Sequence, residues 1–464
     1  MVSFSELPDL AAVELVARYH SRELSPVEVT EAVLARIDAR EPSLHALYAP
    51  DFASARFAAK ESEARWHAGE PLGPIDGVPL TLKENIATRG TPVPLGTAAT
   101  TLTPAPADAP AAARARESGA VLLAKTTMPD YGMLTSGLSS FHTATRNPWD
   151  LSRTPGGSSA GAAAAAAAGY GPLHVGTDIG GSIRLPAGWC GLVGLKPSFG
   201  RVPVDPPFLG RVAGPLTRTV ADTALIMSVL AAPDARDHLS LPPAVVDWSS
   251  WEGSLRGLRL GLHLDAGVGL PVSPEITAAV SSAAATFEAA GAVVSPIEPF
   301  LTRELLDGLD VFWRVRAWSD LLGLPEDRRA RVLPYIADWA SGAAEVSAVD
   351  TYRGFACIDR MSVAALRATA PYDLVLSPTC PVSAPPYDHA SPTNDPRLPF
   401  EHIAFTVPYN MSGQPAVSLN CGYTADGQPI GLQLAGPRFA DLAVLRAAAA
   451  YEQLRTEQQP WPIG

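Results

Sequence analysis

The stretch "TPGGSSAGAAAAAAAGYGPLHVGTDIGGSIRLPAGWCGLVGLKP" (154–197) decides how the rest of the chain is read. It carries two glycine–serine clusters, Gly156-Gly157-Ser158-Ser159 and Gly180-Gly181-Ser182, separated by a nearly pure alanine run. Alanine is the best helix former and permits close approach, so 162–168 reads as a well-packed helix, not a flexible linker. Two serines compete for the role of nucleophile. "GSSAG" (157–161) fits the GxSxG pattern and would make Ser159 the nucleophile of an α/β-hydrolase, but that motif needs a strand immediately before it. "NPWDLSRTPG" (147–156) is loop-like, with two prolines and a polar cluster. Ser182 has the better context, because "LHVGTDI" reads as a short apolar strand running into it. Glycines just before a serine let consecutive backbone N–H groups converge on one point, as the oxyanion of an acyl transfer requires.

Working outward, the 464 residues are enough to bury a sizeable core, and 47% apolar with 18% charged residues suits a globular protein. The formal net charge is −12 and the basic residues are scattered, which gives no footprint for nucleic acid. No apolar run reaches the roughly eighteen residues of a membrane span. The N-terminal "MVSFSELPDLAAVEL" carries acids where a signal peptide carries bases, so a cytoplasmic location is expected. Cys190, Cys357, Cys380 and Cys421 are far apart and form no CxxC pair, which predicts free thiols rather than zinc ligands or disulfides. None of the nine histidines falls in an HxH or HExxH pattern, and His174 in "PLHVGTDI" reads as a core residue. Neither a metal nor a nucleotide is expected.

Residues 1–60 read as helical, with Ser25, Pro26 and Glu28 forming a capping box ahead of Val29, Val33 and Ile37 at helical spacing. In "GPIDGVPLTLKENI" (73–86) the alternation of Val78, Leu80 and Leu82 puts Lys83 on the opposite face of a strand. Further along, a helix stopped at Gly119 leads into a strand over 121–124, and "GLRLGLHL" (257–264) reads as another strand. A helix from Pro274 is followed by a strand, "YDLVLSPT" and "PAVSLNCG" are short strands, and "DLAVLRAAAAYEQL" is a closing helix. Strands alternating with helices, with no linker and no repeat, predict one large α/β domain over 1–464: a mixed β-sheet covered by helices on both faces.

Lys83, the cluster at 157–159, the run Gly180 to Pro186 and "CGLVGLKP" (190–197) occur in an order that closely resembles the amidase signature family. "DGVPLTLKENI", "AKTTMPDYGM", "RNPWDLSRTPGGSS" and "GLQLAGPRFADLAVLRAAAAYE" extend the resemblance over most of the chain. It implies the amidase signature fold, with an N-terminal helical segment over 1–60 packed on a catalytic core over 73–215. It also implies roles residue by residue. Ser182 matches the nucleophile, Ser158 the bridging serine held by a cis peptide to Gly157, and Lys83 the general base. The backbone N–H groups of Ile179, Gly180, Gly181 and Ser182 match the oxyanion hole. Ser159, Thr177, Asp178 and Arg184 match supporting positions. Ala160 stands where the family usually has glycine, and a methyl there implies slight repacking. The chemistry is sound independently. A serine hydroxyl needs a base, and a lysine can serve when burial lowers its pKa toward neutrality.

Tyr131, Gly132, Met133, Leu134 and Thr135 resemble the family's acyl-side wall, and the loop 202–214 offers Phe208 and Leu209 beside the nucleophile. This apolar lining suggests hydrolysis of neutral apolar or aromatic amides, with carbamates (urethanes) or esters as related substrates. The alternative is the glutaminase-type A subunit of a tRNA-dependent amidotransferase, whose core is similar. Such glutaminases place an acid shortly before an N-x-x-G-x-P segment, whereas here Ile403 and Ala404 stand near that place, with Glu401 a possible substitute. The expectation is a monomer or homodimer that acts on a small-molecule amide or carbamate, with no cofactor, no metal, no nucleic acid and no membrane.

Overall fold

The computed structural model describes residues 3–462. Both glycine–serine clusters meet on one sheet of eleven strands. In chain order these are β1 (Leu47–Tyr48), β2 (Pro79–Lys83), β3 (Val121–Thr126), β4 (Leu173–Asp178), β5 (Val193–Lys196), β6 (Val212–Thr217), β7 (Arg259–Leu262), β8 (Val293–Pro296), β9 (Leu374–Pro378), β10 (Ala416–Tyr423) and β11 (Pro429–Ala435). Across the sheet they run β1-β3-β2-β4-β6-β5-β10-β11-β9-β7-β8. β2 is parallel to both β3 and β4, β7 is parallel to β8 and β9, and the remaining pairs are antiparallel, so the sheet is mixed. Strands between parallel neighbours are covered on both faces. Accordingly every residue of β2 is buried, and so is every residue of β4, which is parallel to β2 on one side and antiparallel to β6 on the other. The pairing of β2 with β3 slips once: Leu80 faces Leu122 but Thr81 faces Ala124, so Leu123 has no partner across the rung.

Helices flank this sheet. Pro26–Leu44 begins with the capping box, the Ser25 hydroxyl accepting from Val27 N–H at 3.0 Å and Glu28 Oε2 accepting from Ser25 N–H at 2.9 Å. The alanine run is the helix Ala160–Ala168, wholly buried and ended by Gly169 at φ 78°. A side chain at Gly161 would come within 2.2 Å of the Ala46 carbonyl, so only glycine lets this helix lie so close to its neighbours. Between 300 and 369, where the sequence reading placed no element, Arg303–Leu322 and Ala348–Thr369 pack on each other. With Trp313, Trp339 and Phe400 they build a second apolar core beside the serines. Among the described residues, no helix is long and apolar enough to cross a membrane, and no cluster of three or more His, Cys, Asp or Glu could hold a metal. The four cysteines are free and buried.

Candidate active site

Each functional side chain enters from the end of an element. Lys83 is the last residue of β2. Its Nζ lies 2.8 Å from Ser158 Oγ, 3.1 Å from Ser159 Oγ and 3.1 Å from Thr177 Oγ1. Burial pulls the amine down to about 7 from the usual 10.5, Asp178 acting against that pull. Ser158 and Ser159 form the turn before the alanine helix, and the Gly157–Ser158 peptide is cis. No strand leads into Ser159, so the α/β-hydrolase turn is not built here. Its hydroxyl donates to the Thr177 carbonyl at 3.2 Å. The Thr177 hydroxyl also accepts from Asn85 Nδ2 at 3.0 Å.

Ser182 follows β4 and faces a cavity. Its carbonyl accepts from Ser159 N–H at 3.2 Å, which ties the two serine loops together. Asp178 organises the turn between them. Its Oδ1 accepts from Gly181 N–H at 2.8 Å and its Oδ2 from Ile183 N–H at 3.1 Å. The fully buried Arg184 meets the same carboxylate through Nε and Nη2, both at 3.0 Å. Burial alone would raise the Asp178 pKa, but the charge and hydrogen bonds of Arg184 outweigh it and hold the carboxyl below its ordinary value. Arg184 is also bound by Thr406, Gln433 and Asn410, partners more than 200 residues away in sequence. Gly181 has φ +131°, and a Cβ there would meet Leu185 at 2.6 Å, so both backbone and space call for glycine. Its N–H is occupied by Asp178, a departure from the four-donor oxyanion hole that the resemblance implies. Among the described residues, the N–H groups of Ile179, Gly180 and Ser182 meet no backbone or side-chain acceptor.

Two chambers adjoin these groups. The inner one, about 510 Å³ of empty space with part open to solvent, is walled by Gly132, Met133, Leu134, Thr135, Trp313 and Phe400 and reaches Ser182 and Gly180. Within it His402 is buried, with Nε2 2.7 Å from Thr135 Oγ1, and burial pushes the ring down to about 3, so it is neutral. The outer chamber, about 1540 Å³ of empty space including open solvent, is bounded by Asn85, Met128, Tyr131, Thr177, Phe208 and Arg211. Arg316 borders both. Leu209 lies on neither wall and packs against the second core instead. Tyr131 has a left-handed backbone, φ 52°, held by its N–H to the Leu95 carbonyl at 2.7 Å and by the buried neighbour Asp130, which accepts from Ser140 and Leu333. Sequence reasoning missed Trp313, Arg316, Phe400 and His402, none of which lies in a short motif. His174 is a core residue, 2.8 Å from Thr81 Oγ1 and 2.9 Å from the Gly171 carbonyl.

Comparison with known proteins agrees with this fold. A model of the amidase family, described as "Amidase", matches residues 28–445. An acylamidase of Rhodococcus erythropolis is 36% identical, the match covering 97% of this chain and 96% of the relative. The A subunit of the glutamyl-tRNA(Gln) amidotransferase of Myxococcus xanthus is 35% identical, the match covering 97% of this chain and 98% of the relative. The crystal structure of a bacterial aryl acylamidase of the amidase signature enzymes superposes with a TM-score of 0.88 at 30% identity, covering 96% of each chain. Sheet, sequence and solved relatives converge, and the chain belongs to the amidase signature family of amide-hydrolysing enzymes.

Proposed function

We propose that the chain hydrolyses the C–N bond of small apolar or aromatic amides through an acyl-enzyme on Ser182, and that aryl carbamates and esters enter the same site. The observation that carries this reading is the set of contacts made by Lys83. A neutral amine has two N–H donors and one lone pair. Ser159 spends its own proton on the Thr177 carbonyl, so its hydroxyl accepts one N–H of Lys83, and Thr177 Oγ1 accepts the other alongside that of Asn85. The lone pair is left for Ser158, 2.8 Å away. With its pKa near 7, Lys83 draws the Ser158 proton as Ser158 takes that of Ser182, and Ser182 Oγ attacks the carbonyl carbon. The N–H groups of Ile179, Gly180 and Ser182 hold the developing oxyanion, while Gly181, bound to Asp178, fixes the turn. The proton returns through Ser158 to the leaving nitrogen, and water then releases the acid. The apolar inner chamber with Trp313 and Phe400 suits an alkyl or aryl group.

The similarity to the glutaminase component of tRNA-dependent amidotransferases supports a second reading, glutamine hydrolysis for a partner. Against it, both oxygens of Glu401 are taken by Arg303, at 2.6 and 2.8 Å, and Ile403 and Ala404 are apolar, which leaves no carboxylate there for a glutamine ammonium. Two measurements test the proposal. A fluorophosphonate should label Ser182, with the adduct mapped by mass spectrometry; an adduct on Ser159 refutes the assignment. The purified chain should turn over a nitroanilide, an aryl carbamate or a p-nitrophenyl ester faster than glutamine, and rapid glutamine hydrolysis with no aryl activity reverses the choice of substrate.

A further inference from the structure

Two guanidinium groups line the outer chamber without a carboxylate partner. Arg316 lies where the chambers meet. Its Nη2 donates to the Met133 sulfur at 3.3 Å, a weak acceptor, and its Nε is buried with no partner. Its guanidinium carbon stands 4.7 Å from the centroid of Phe208. Arg211 approaches the same ring at 5.6 Å, and its hydrogen bond goes to the Pro206 carbonyl at 3.4 Å. Among the described residues, neither forms an ion pair. Two carboxylates share the chamber wall, Asp320 one turn along the Arg316 helix and Asp205 on the Phe208 loop, and both are exposed. Burial pulls both guanidiniums below their ordinary range, Arg211 to about 10 with Arg316 adding to the effect, while the charge of Asp320 acts against it on both. Arg184 shows what a paired buried guanidinium looks like in this protein, with a carboxylate on one side and three further acceptors. Two partly buried cations held on one aromatic ring are an arrangement that an incoming anion completes.

We propose that the outer chamber is a carboxylate subsite: Arg316, with Arg211 beside the same Phe208 ring, binds a carboxylate carried by the substrate, while the apolar part of the substrate fills the inner chamber. This rests on the amide-hydrolase reading and departs from the expectation of a wholly neutral substrate. A planar carboxylate suits the guanidinium fork, which presents paired N–H donors. The Phe208 ring lies within cation–π reach of both guanidiniums.

The test uses matched pairs of anilides, with the acid first on the amine half (4-acetamidobenzoate against acetanilide) and then on the acyl half (succinanilic acid against butyranilide). In one pair the acid should exceed its neutral partner in kcat/KM by about tenfold or more, as loss of a charged contact to a guanidinium implies. Arg316→Met and Arg211→Met should each shrink that ratio toward one. Because the readout is a ratio, a general loss of folded protein does not move it. Asp320→Asn should raise the ratio by removing a competing carboxylate, and a fall would overturn the proposal. A second measurement needs no turnover. 4-Aminobenzoate should bind the Ser182→Ala chain more tightly than 4-aminobenzamide by calorimetry, and Arg316→Met should remove the difference. Ratios near one in both pairs, or an acid preference indifferent to both arginine variants, overturn the subsite while neutral anilide turnover leaves the amidase reading standing. Absence of any anilide turnover together with no adduct on Ser182 fails that reading instead.

Discussion

Lys83 and Lys125 stand on the neighbouring parallel strands β2 and β3, both buried, and burial pulls both amines down to about 7. Their surroundings differ. Lys83 meets three hydroxyls, one of them Ser158 beside the Ser182 loop. Lys125 meets the Ile86 carbonyl and the Thr88 hydroxyl, which lead to no nucleophile. Lys196, on β5, repeats the lesson: its amine also falls to about 7, and it donates to the Pro197 carbonyl at 2.9 Å. A depressed lysine pKa therefore reports burial. What sets Lys83 apart is its contact with Ser158, next to the loop that carries Ser182 into a cavity, and it is this that the proposed base role rests on.

The sharpest way to break this comparison is to remove each amine in turn. Lys83→Met should lower amide kcat/KM by about 100- to 10,000-fold, the usual scope of a general base, while Lys125→Met stays within about threefold per folded molecule. Equal losses would mean that the pKa, not the hydroxyl chain, marks the base. Ser158→Ala should match Lys83→Met, with the double variant little worse than the poorer single, since members of one relay are strongly non-additive; full additivity would separate their proton paths. A smaller effect distinguishes substrates. Loss of Lys83 should cost a matched activated ester about tenfold less than an amide, because a phenolate leaves without a proton and an amine does not. Equal losses would restrict Lys83 to activating Ser182.

The pH dependence sharpens the comparison further. Amide kcat/KM should rise with pH and level off above about 7 as Lys83 loses its proton, and Lys125→Met should leave that profile in place. Stability should behave differently. Between about 7 and 10.5 both amines are neutral in the folded chain and protonated in the unfolded one, so the unfolded state binds more protons and stability rises with pH across this window. Below 7 the desolvation penalty is fully present. Urea titrations from pH 7 to 10 should show a shallower rise for Lys83→Met and Lys125→Met alike, even though only the first loses activity. The smallest expected effect is at Ala160, the buried first residue of the alanine helix: Ala160→Gly should cost about 0.5–1 kcal/mol in denaturant unfolding and change turnover less than twofold.

Much of the sheet is legible in the sequence, because β2, β4 and the alanine helix carry their side chains within short segments of clear periodicity, whereas the pairing of Lys83 with Ser158 follows only from the family resemblance. The capping box at Ser25, the helix from Pro274 and the closing helix Asp441–Leu454 follow from local rules in the same way. Alternation placed Lys83 opposite Leu80 and Leu82, but it could not show that the whole strand is buried, which depends on the helices Pro26–Leu44 and Ala160–Ala168 packing against β2. The chamber walls were hidden for a different reason. Trp313 and Arg316 sit on an amphipathic helix about 130 residues after Ser182, and His402 comes from a loop later still, so tertiary packing alone brings them together. The bond from Asp178 to Gly181 N–H was equally invisible, since a run of glycines does not say which N–H groups are already used.

The slip between Leu80 and Thr81 acts as an insulator. Were β2 and β3 paired without it, residue 81 would face 123 and residue 83 would face 125, and the two amines would share a rung on one face, with their strands about 4.8 Å apart. Leu123 shifts Lys125 onto the rung of Leu82, so its amine leaves the opposite side of the sheet. One unpaired leucine thus isolates the titration of Lys83 from that of its neighbour. Deleting Leu123 would couple the two amines into a single two-proton system, with neither keeping a pKa of its own.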